Sequence, residues 1–257
     1  MDPAPPIPAA TLIVIRPASS RPAFSRTPDI LVVERAAGMA FAGGAIVFPG
    51  GRIDPADKSF AAALGRPADA ARITAIRETI EESAVLVGLS ASADAIDPAL
   101  GLVLQEALLG GADFADLLTR HDLALDLDAL TAFARWMPAF KQTRRFDTKF
   151  FLAPALPGAW PPRPQPGECQ SAEWASAAAL LARIAAGSDH AIFPTKRNLE
   201  RIARFATIDE ARADAALYPL DTIIPWVEDR NGEPHVCLPS ERGYPVTSEP
   251  LATAFRA

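Results

Sequence analysis

Phe48-Pro49-Gly50-Gly51, an irregular stretch, and then Arg77-Glu78-Thr79-Ile80-Glu81-Glu82 set the reading of this 257-residue chain. As a helix, the second segment places Glu78, Glu81 and Glu82 at i, i+3 and i+4, side by side on one face. Carboxylates about 5–6 Å apart repel by roughly 1 kcal/mol in water and by several times that at lower dielectric. Three of them on one patch ask for a positive partner. Ile73, Ile76, Ile80, Ala84 and Val87 fall on the nearly opposite side at about 100° per residue, so one face is expected in the core and the other at a site. A solvated acidic helix could carry the same residues. The Gly50-Gly51 turn, which permits φ > 0 and close approach of backbone to a ligand, favours the site.

Gly51, five residues, Asp57, and then Arg77 to Val85 resemble the Nudix box of the Nudix hydrolases, G-x5-E-x7-R-E-U-x-E-E-x-G-U, where U is a large aliphatic residue. Asp57 stands for the first glutamate, Thr79 for the aliphatic and Ala84 for the glycine, and nineteen residues replace the seven. An expanded box, Phe-Pro-Gly-Gly and a segment like Arg145-Phe146-Asp147-Thr148-Lys149-Phe150-Phe151 are features of the branch that resembles the peroxisomal coenzyme A diphosphatases. The resemblance covers most of Leu31 to Phe205. It implies an α/β Nudix fold, a mixed central sheet sandwiched between helices, with extra helical insertions.

The resemblance further implies hydrolysis of a diphosphate bond in a nucleoside diphosphate linked to another moiety, with coenzyme A or an acyl-coenzyme A as substrate. An ADP-ribose or dinucleotide pyrophosphatase, or a Nudix-fold binding module without catalysis, are the alternatives. Glu78, Glu81 and Glu82 are expected to hold Mg²⁺ or Mn²⁺, hard cations suited to all-oxygen ligation. Glu82 or Glu168 would accept the proton of the attacking water, Glu168 because it stands about six positions before Trp174, where the family can carry a further glutamate. Arg77 is expected to orient the carboxylates. Substrate contacts are expected from Arg35, Gly50 and Gly51, and from Arg145 and Lys149, which with Lys141 and Arg144 form the densest basic neighbourhood.

A length of 257 residues with no sharp shift of composition reads as one domain, residues 1–257. The net charge of −6 argues against a nucleic-acid partner, since neutralising phosphates takes a clustered excess of Lys and Arg. Two cysteines, Cys169 and Cys237, cannot build a disulfide framework, and His121, His190 and His235 are too scattered for a metal site. The first residues lack the basic and apolar runs of a signal peptide, no apolar stretch approaches the ~20 residues of a membrane span, and the last residues are not a peroxisomal address. A cytoplasmic protein is expected.

Residues 1–10 are proline-rich and read as loose, with strands following at Thr11–Ile15, Ile30–Glu34 and Ala45–Phe48. Residues 54–71 form an insertion within the box, a lid or rim loop with one short helix from Lys58 to Leu64. From about 98 to 136 the leucines repeat at helical spacing, ending with Leu127, Leu130, Phe133 and Ala134. A strand is expected over 144–153, alternating Phe146, Thr148 and Phe150 with Asp147, Lys149 and Phe151. A proline-crowded excursion over 153–167 leads to Glu168 and a strand ending at Trp174. Helices then run from Ser176 to Ala186, closed by Gly187, from a cap at Thr195, and from Asp209, before a hairpin across Asp229–Gly232.

Overall fold

The structure is a computed structural model that describes residues 5–17, 27–39, 42–91, 96–138, 145–158 and 160–254. Its strands are β1 (Ile7–Arg16), β2 (Asp29–Arg35), β3 (Ile46–Val47), β4 (Gly50–Arg52), β5 (Leu89–Ala91), β6 (Leu123–Leu125), β7 (Thr131–Trp136), β8 (Phe146–Pro154), β9 (Cys169–Ser176), β10 (Trp226–Arg230), β11 (Glu233–Cys237) and β12 (Ser248–Pro250). Its helices are α1 (Pro55–Ala63), α2 (Ala70–Ser83), α3 (Pro98–Leu109), α4 (Phe114–Arg120), α5 (Ala177–Ala186), α6 (Phe193–Ile202), α7 (Ile208–Ala216) and α8 (Leu251–Ala254). No helix among the described residues is long and apolar enough to cross a membrane.

β1 organises the main sheet. It runs parallel to β8 along nearly its whole length, antiparallel to β4 near its start and antiparallel to β2 at its end. β7 extends the sheet beyond β8, while β2 also carries β3 and β9, so the sheet is mixed, as expected. The two-residue period of β1 divides the interior. Ala10, Leu12 and Val14, with Phe151 and Ala153 of β8, face a core completed by Ile73, Ile76 and Ile80 of α2 and by leucines of α3 and α4. Ile13 and Ile15, with Phe150 and Leu152, face a second core formed with α5, α6 and α7. Both faces of the sheet are therefore covered by helices.

Three expectations are corrected. Residues 7–10 are not loose, because β1 begins at Ile7 and is held by β8 and β4. The helical pattern over 98–136 holds only for 98–109 and 114–120, and β6 and β7 follow. A bulge between Ala132 and Ala134 explains the misreading: it lets Phe133 and Trp136, three apart, face the same core, which imitates helical spacing. Thr195 is no cap but lies inside α6, whose first turn starts two residues earlier.

The insertion over 54–71 is largely folded. α1 starts at Pro55, three residues before the expected Lys58, under a capping box in which the Asp54 N–H donates to Asp57. The expected hairpin turns at Asn231-Gly232, with φ of 58° and 88°, and β12 makes its small sheet three-stranded. Lys141 and Arg144 lie outside the described residues.

Candidate active site

α2 ends at Ala84, which adopts φ 57° in the left-handed region that glycine occupies freely, and its N–H donates to the Ile80 carbonyl at 2.8 Å. Thr79, where an aliphatic residue was expected, is fully buried and donates its hydroxyl to the Ala75 carbonyl at 2.7 Å, so its polarity is satisfied inside the helix.

Gly50 and Gly51 do not form a turn of positive φ; they belong to β4, paired with β1. Their use is proximity. A Cβ on Gly51 would collide with the Glu78 carboxyl, and one on Gly50 with the Ala10 carbonyl. The Gly50 N–H donates to Glu82 Oε2 at 3.0 Å, while Arg35 Nη1 lies 3.7 Å from Glu82 Oε1. Glu82 is only 2% exposed.

Arg77 sits at the centre of the other acids. Its Nη2 is 2.9 Å from Glu78 Oε1, its Nη1 donates to Glu81 Oε2 at 3.2 Å, and its Nε and Nη2 donate to the two oxygens of Asp57 at 3.0 Å each. Asp57 is buried and also accepts from the Thr74 hydroxyl at 2.7 Å. Asp57 therefore braces Arg77 from α1. Sequence reasoning placed Asp57 in the box pattern but passed over Thr74, an unremarkable residue between two helix-forming alanines and isoleucines.

Glu168 reaches this group through the proline-rich segment, which is fastened to the last turn of α2. Arg163 N–H donates to the Ser83 carbonyl at 2.8 Å and Gln165 N–H to the Glu82 carbonyl at 3.1 Å. The amide of buried Gln105 on α3 donates to the Glu81 and Arg163 carbonyls at 3.0 and 2.9 Å. Carbonyls left free at a helix end are thereby satisfied, and exposed Glu168 is set beside the acids of the helix.

Burial and repulsion dominate the electrostatics. Desolvation, joined by Glu81 and Asp57, raises Glu78 to about 7 against the opposing charge and hydrogen bond of Arg77. Desolvation and the neighbouring Glu78 raise Glu82 to about 8 against the opposing Gly50 hydrogen bond and Arg35. Glu81 is raised by desolvation and by Glu168, with Arg77 opposing. Burial works against the charge of Arg77, but Asp57, Glu78 and Glu81 outweigh it and hold the guanidinium protonated.

These residues line a cleft of about 1850 Å³, which also has an apolar wall including Trp136, Phe146, Phe150, Phe193 and Val236. Arg35, Gly50, Gly51, Arg77, Glu78, Glu81, Glu82 and Glu168 all line it. Arg145 and Lys149 do not. Lys149 alternates with Thr148 and Phe150 and so projects from the other face of β8, while Arg145 Nη2 points to Met137 Sδ at 3.4 Å. His190 and Thr195 line the cleft without having been singled out for it.

Among the described residues no three acid, histidine or cysteine side chains are gathered as they stand to hold a metal ion, since Arg77 lies between the carboxylates of Glu78 and Glu81. The donor chemistry nonetheless fits a hard divalent cation: crowded carboxylates whose ionisation is disfavoured by burial and by one another gain from a positive charge placed among them. Nudix hydrolases generally use divalent ions such as Mg²⁺ or Mn²⁺.

No protein-family model matches this chain, and no curated protein is similar enough to match it. Solved structures do match. A MutT protein from Methanosarcina mazei Go1 is 13% identical, covering 78% of this chain and 94% of that one at a TM-score of 0.42. The Nudix domain of NrtR from Shewanella oneidensis, solved in complex with ADP ribose, is 12% identical over 70% of this chain and 78% of that one, with a TM-score of 0.39. A Nudix hydrolase from Alicyclobacillus acidocaldarius is 30% identical, with a TM-score of 0.68. With 81% of this chain and 96% of that one covered, the chain belongs to the Nudix hydrolase family.

Proposed function

We propose that the protein hydrolyses the diphosphate bond of coenzyme A or an acyl-coenzyme A, releasing 3′,5′-ADP and a phosphopantetheine product. The observation that carries this reading is the cleft, in which the acids of α2 share about 1850 Å³ with an apolar wall. That is more than the ~300–1,000 Å³ of common small-molecule pockets, and it suits a long substrate with a charged middle and a less polar arm.

Glu78, Glu81 and Glu82 would hold the divalent cation, which when bound supplies charge neutralisation at the diphosphate and acidifies the attacking water. Arg77, braced by Asp57, keeps Glu78 and Glu81 in place. Glu82 has one oxygen engaged by Gly50 N–H and the other facing Arg35, whereas Glu168 is exposed at the rim, so Glu168 is the better placed to take the proton from water. Arg35 holds Glu82 from one side and offers its remaining N–H groups to a phosphate oxygen.

Incubation with Mg²⁺ or Mn²⁺ and, in turn, coenzyme A, ADP-ribose and NADH, with products identified by mass, tests the reading. We expect 3′,5′-ADP from coenzyme A. Turnover of ADP-ribose or NADH in its place would overturn the substrate, and no turnover of any would favour a binding module.

A further inference from the structure

The N-terminus of α6 opens on the same cleft. Its cap residue, Ile192, has no side-chain oxygen to offer, and Pro194 in the first turn has no N–H, so the donors left there are the N–H groups of Phe193 and Thr195. Neither has a partner among the described residues. The second observation is Thr195 itself. It is 2% exposed, its hydroxyl has no hydrogen-bond partner among the described residues, and it lines the cleft.

The position is tied to the acid cluster by a short path. The backbone N–H of Arg35, whose side chain faces Glu82, donates to the Ala45 carbonyl at 3.0 Å, and Ala45 forms a bridge with His190. The Ile46 N–H donates to the His190 carbonyl at 2.7 Å, so the segment before α6 is fixed to the hairpin that carries Arg35. His190, whose pKa is lowered by burial, lines the cleft just before the helix. The cations of this helix are already matched: Lys196 Nζ and Arg197 Nη2 bind Glu249 at 2.5 and 2.9 Å, and Arg197 Nη2 binds Glu200 at 2.8 Å. The open donors are two backbone N–H groups, one hydroxyl and the positive end of the helix dipole.

We infer that this end of α6 is a phosphate subsite that takes a phosphomonoester carried by the substrate apart from its diphosphate bond. Three donors within one turn match the three terminal oxygens of such a group. The assignment of the phosphate to a substrate rests on the proposed reaction; the binding of phosphate does not. A nucleotide with a second phosphate then spans the cleft, its diphosphate at the acids of α2 and its monoester at Thr195.

The test compares adenosine 3′,5′-bisphosphate with adenosine 5′-monophosphate by titration calorimetry at saturating Mg²⁺. We expect the wild-type protein to bind the bisphosphate about tenfold more tightly, Thr195→Val to lose most of that preference, and Thr195→Ser to keep it. Equal binding by the wild type, or a preference that survives in Thr195→Val, overturns the subsite. If Thr195→Val does not fold, the wild-type comparison decides alone. Inorganic phosphate that binds as tightly as the bisphosphate makes this a site for free phosphate and overturns the substrate assignment. Bisphosphate preference without turnover of coenzyme A keeps the subsite and removes the proposed reaction. Turnover of coenzyme A and its 3′-dephospho form with the same kcat/KM keeps the reaction and removes the subsite.

Discussion

Two networks of buried arginines stand on either side of the main sheet, and they differ in balance. On α6, Lys196, Arg197 and Arg201 meet Glu200, Glu249 and Asp214 one for one. Arg201 donates through Nε to Asp214 at 2.7 Å and through Nη1 to the Phe133 carbonyl at 3.2 Å, and its guanidinium lies 4.1 Å from the Phe133 ring. On α2, Arg77 and Arg35 are left to serve Asp57, Glu78, Glu81 and Glu82, with Glu168 beside them. A raised carboxyl alone does not tell the two apart, since burial lifts Glu200 to about 7 as well. The charge ratio does. The matched network clamps α6 to β7, α7 and β12, and the acid-rich one keeps a demand for positive charge that the chain does not itself meet.

Mutation should separate them. Asp214→Ala leaves the 2%-exposed Arg201 side chain unpaired in the core and is expected to cost about 3–5 kcal/mol of stability in urea unfolding. Activity per folded molecule should stay within about twofold. Glu82→Gln should do the reverse, lowering kcat at least a hundredfold, or about 2.7 kcal/mol, with a stability change below about 1 kcal/mol. A Glu82→Gln enzyme with near-normal turnover would place Glu82 in a clamp like that of Asp214.

The pH dependence of melting sharpens the contrast. Glu78 and Glu82 titrate near 7 and 8 in the folded chain, above the ordinary 4.5. A raised carboxyl contributes its stability fully below its unfolded pKa and loses it as pH climbs through the folded one. In chelator, Tm should therefore fall by several degrees between pH 6 and pH 9. Mg²⁺ should flatten the fall, and Glu82→Gln should reduce it to the share due to Glu78 and Glu200. A melting curve independent of pH in chelator would contradict the excess of charge on α2.

The smallest effect concerns the end of α2. Ala84 at φ 57° carries the penalty of an L residue in the left-handed region, so Ala84→Gly should raise stability by about 0.5–1 kcal/mol in urea unfolding without altering kcat. A loss of stability would mean that packing of the Ala84 methyl outweighs the relief of its backbone.

The three-carboxylate helix was legible because it depends on residues close in sequence, whose spacing fixes which face they share, whereas Gly50-Gly51, expected as a turn, forms strand β4. The glycines were read for the wrong property, since proximity to Glu78 rather than φ requires them. β7 was not legible because one extra residue in a bulge converts alternate spacing into a helix-like one. The α6 network was hidden for another reason: Arg197 and Arg201 beside Leu199 and Ile202 look like the wet face of an amphipathic helix until Glu249 and Asp214 arrive from distant segments. Thr195 signalled only a helix cap and His190 nothing, since a single threonine or histidine acquires its place in a cleft only from the helix end or strand that positions it.

The spacer between Asp57 and Arg77 has a consequence in polymer terms. Closing a loop of nineteen residues instead of seven costs only about 1 kcal/mol more, since the entropy grows with the logarithm of length. α1 offsets that by burying Ala61 and setting Phe60 edge-on to Phe114 of α4. The length of chain between the two halves of the site is thus nearly free to drift, with helices gained or lost along it. What cannot drift is the 3.0 Å across which Asp57 and Arg77 close the loop.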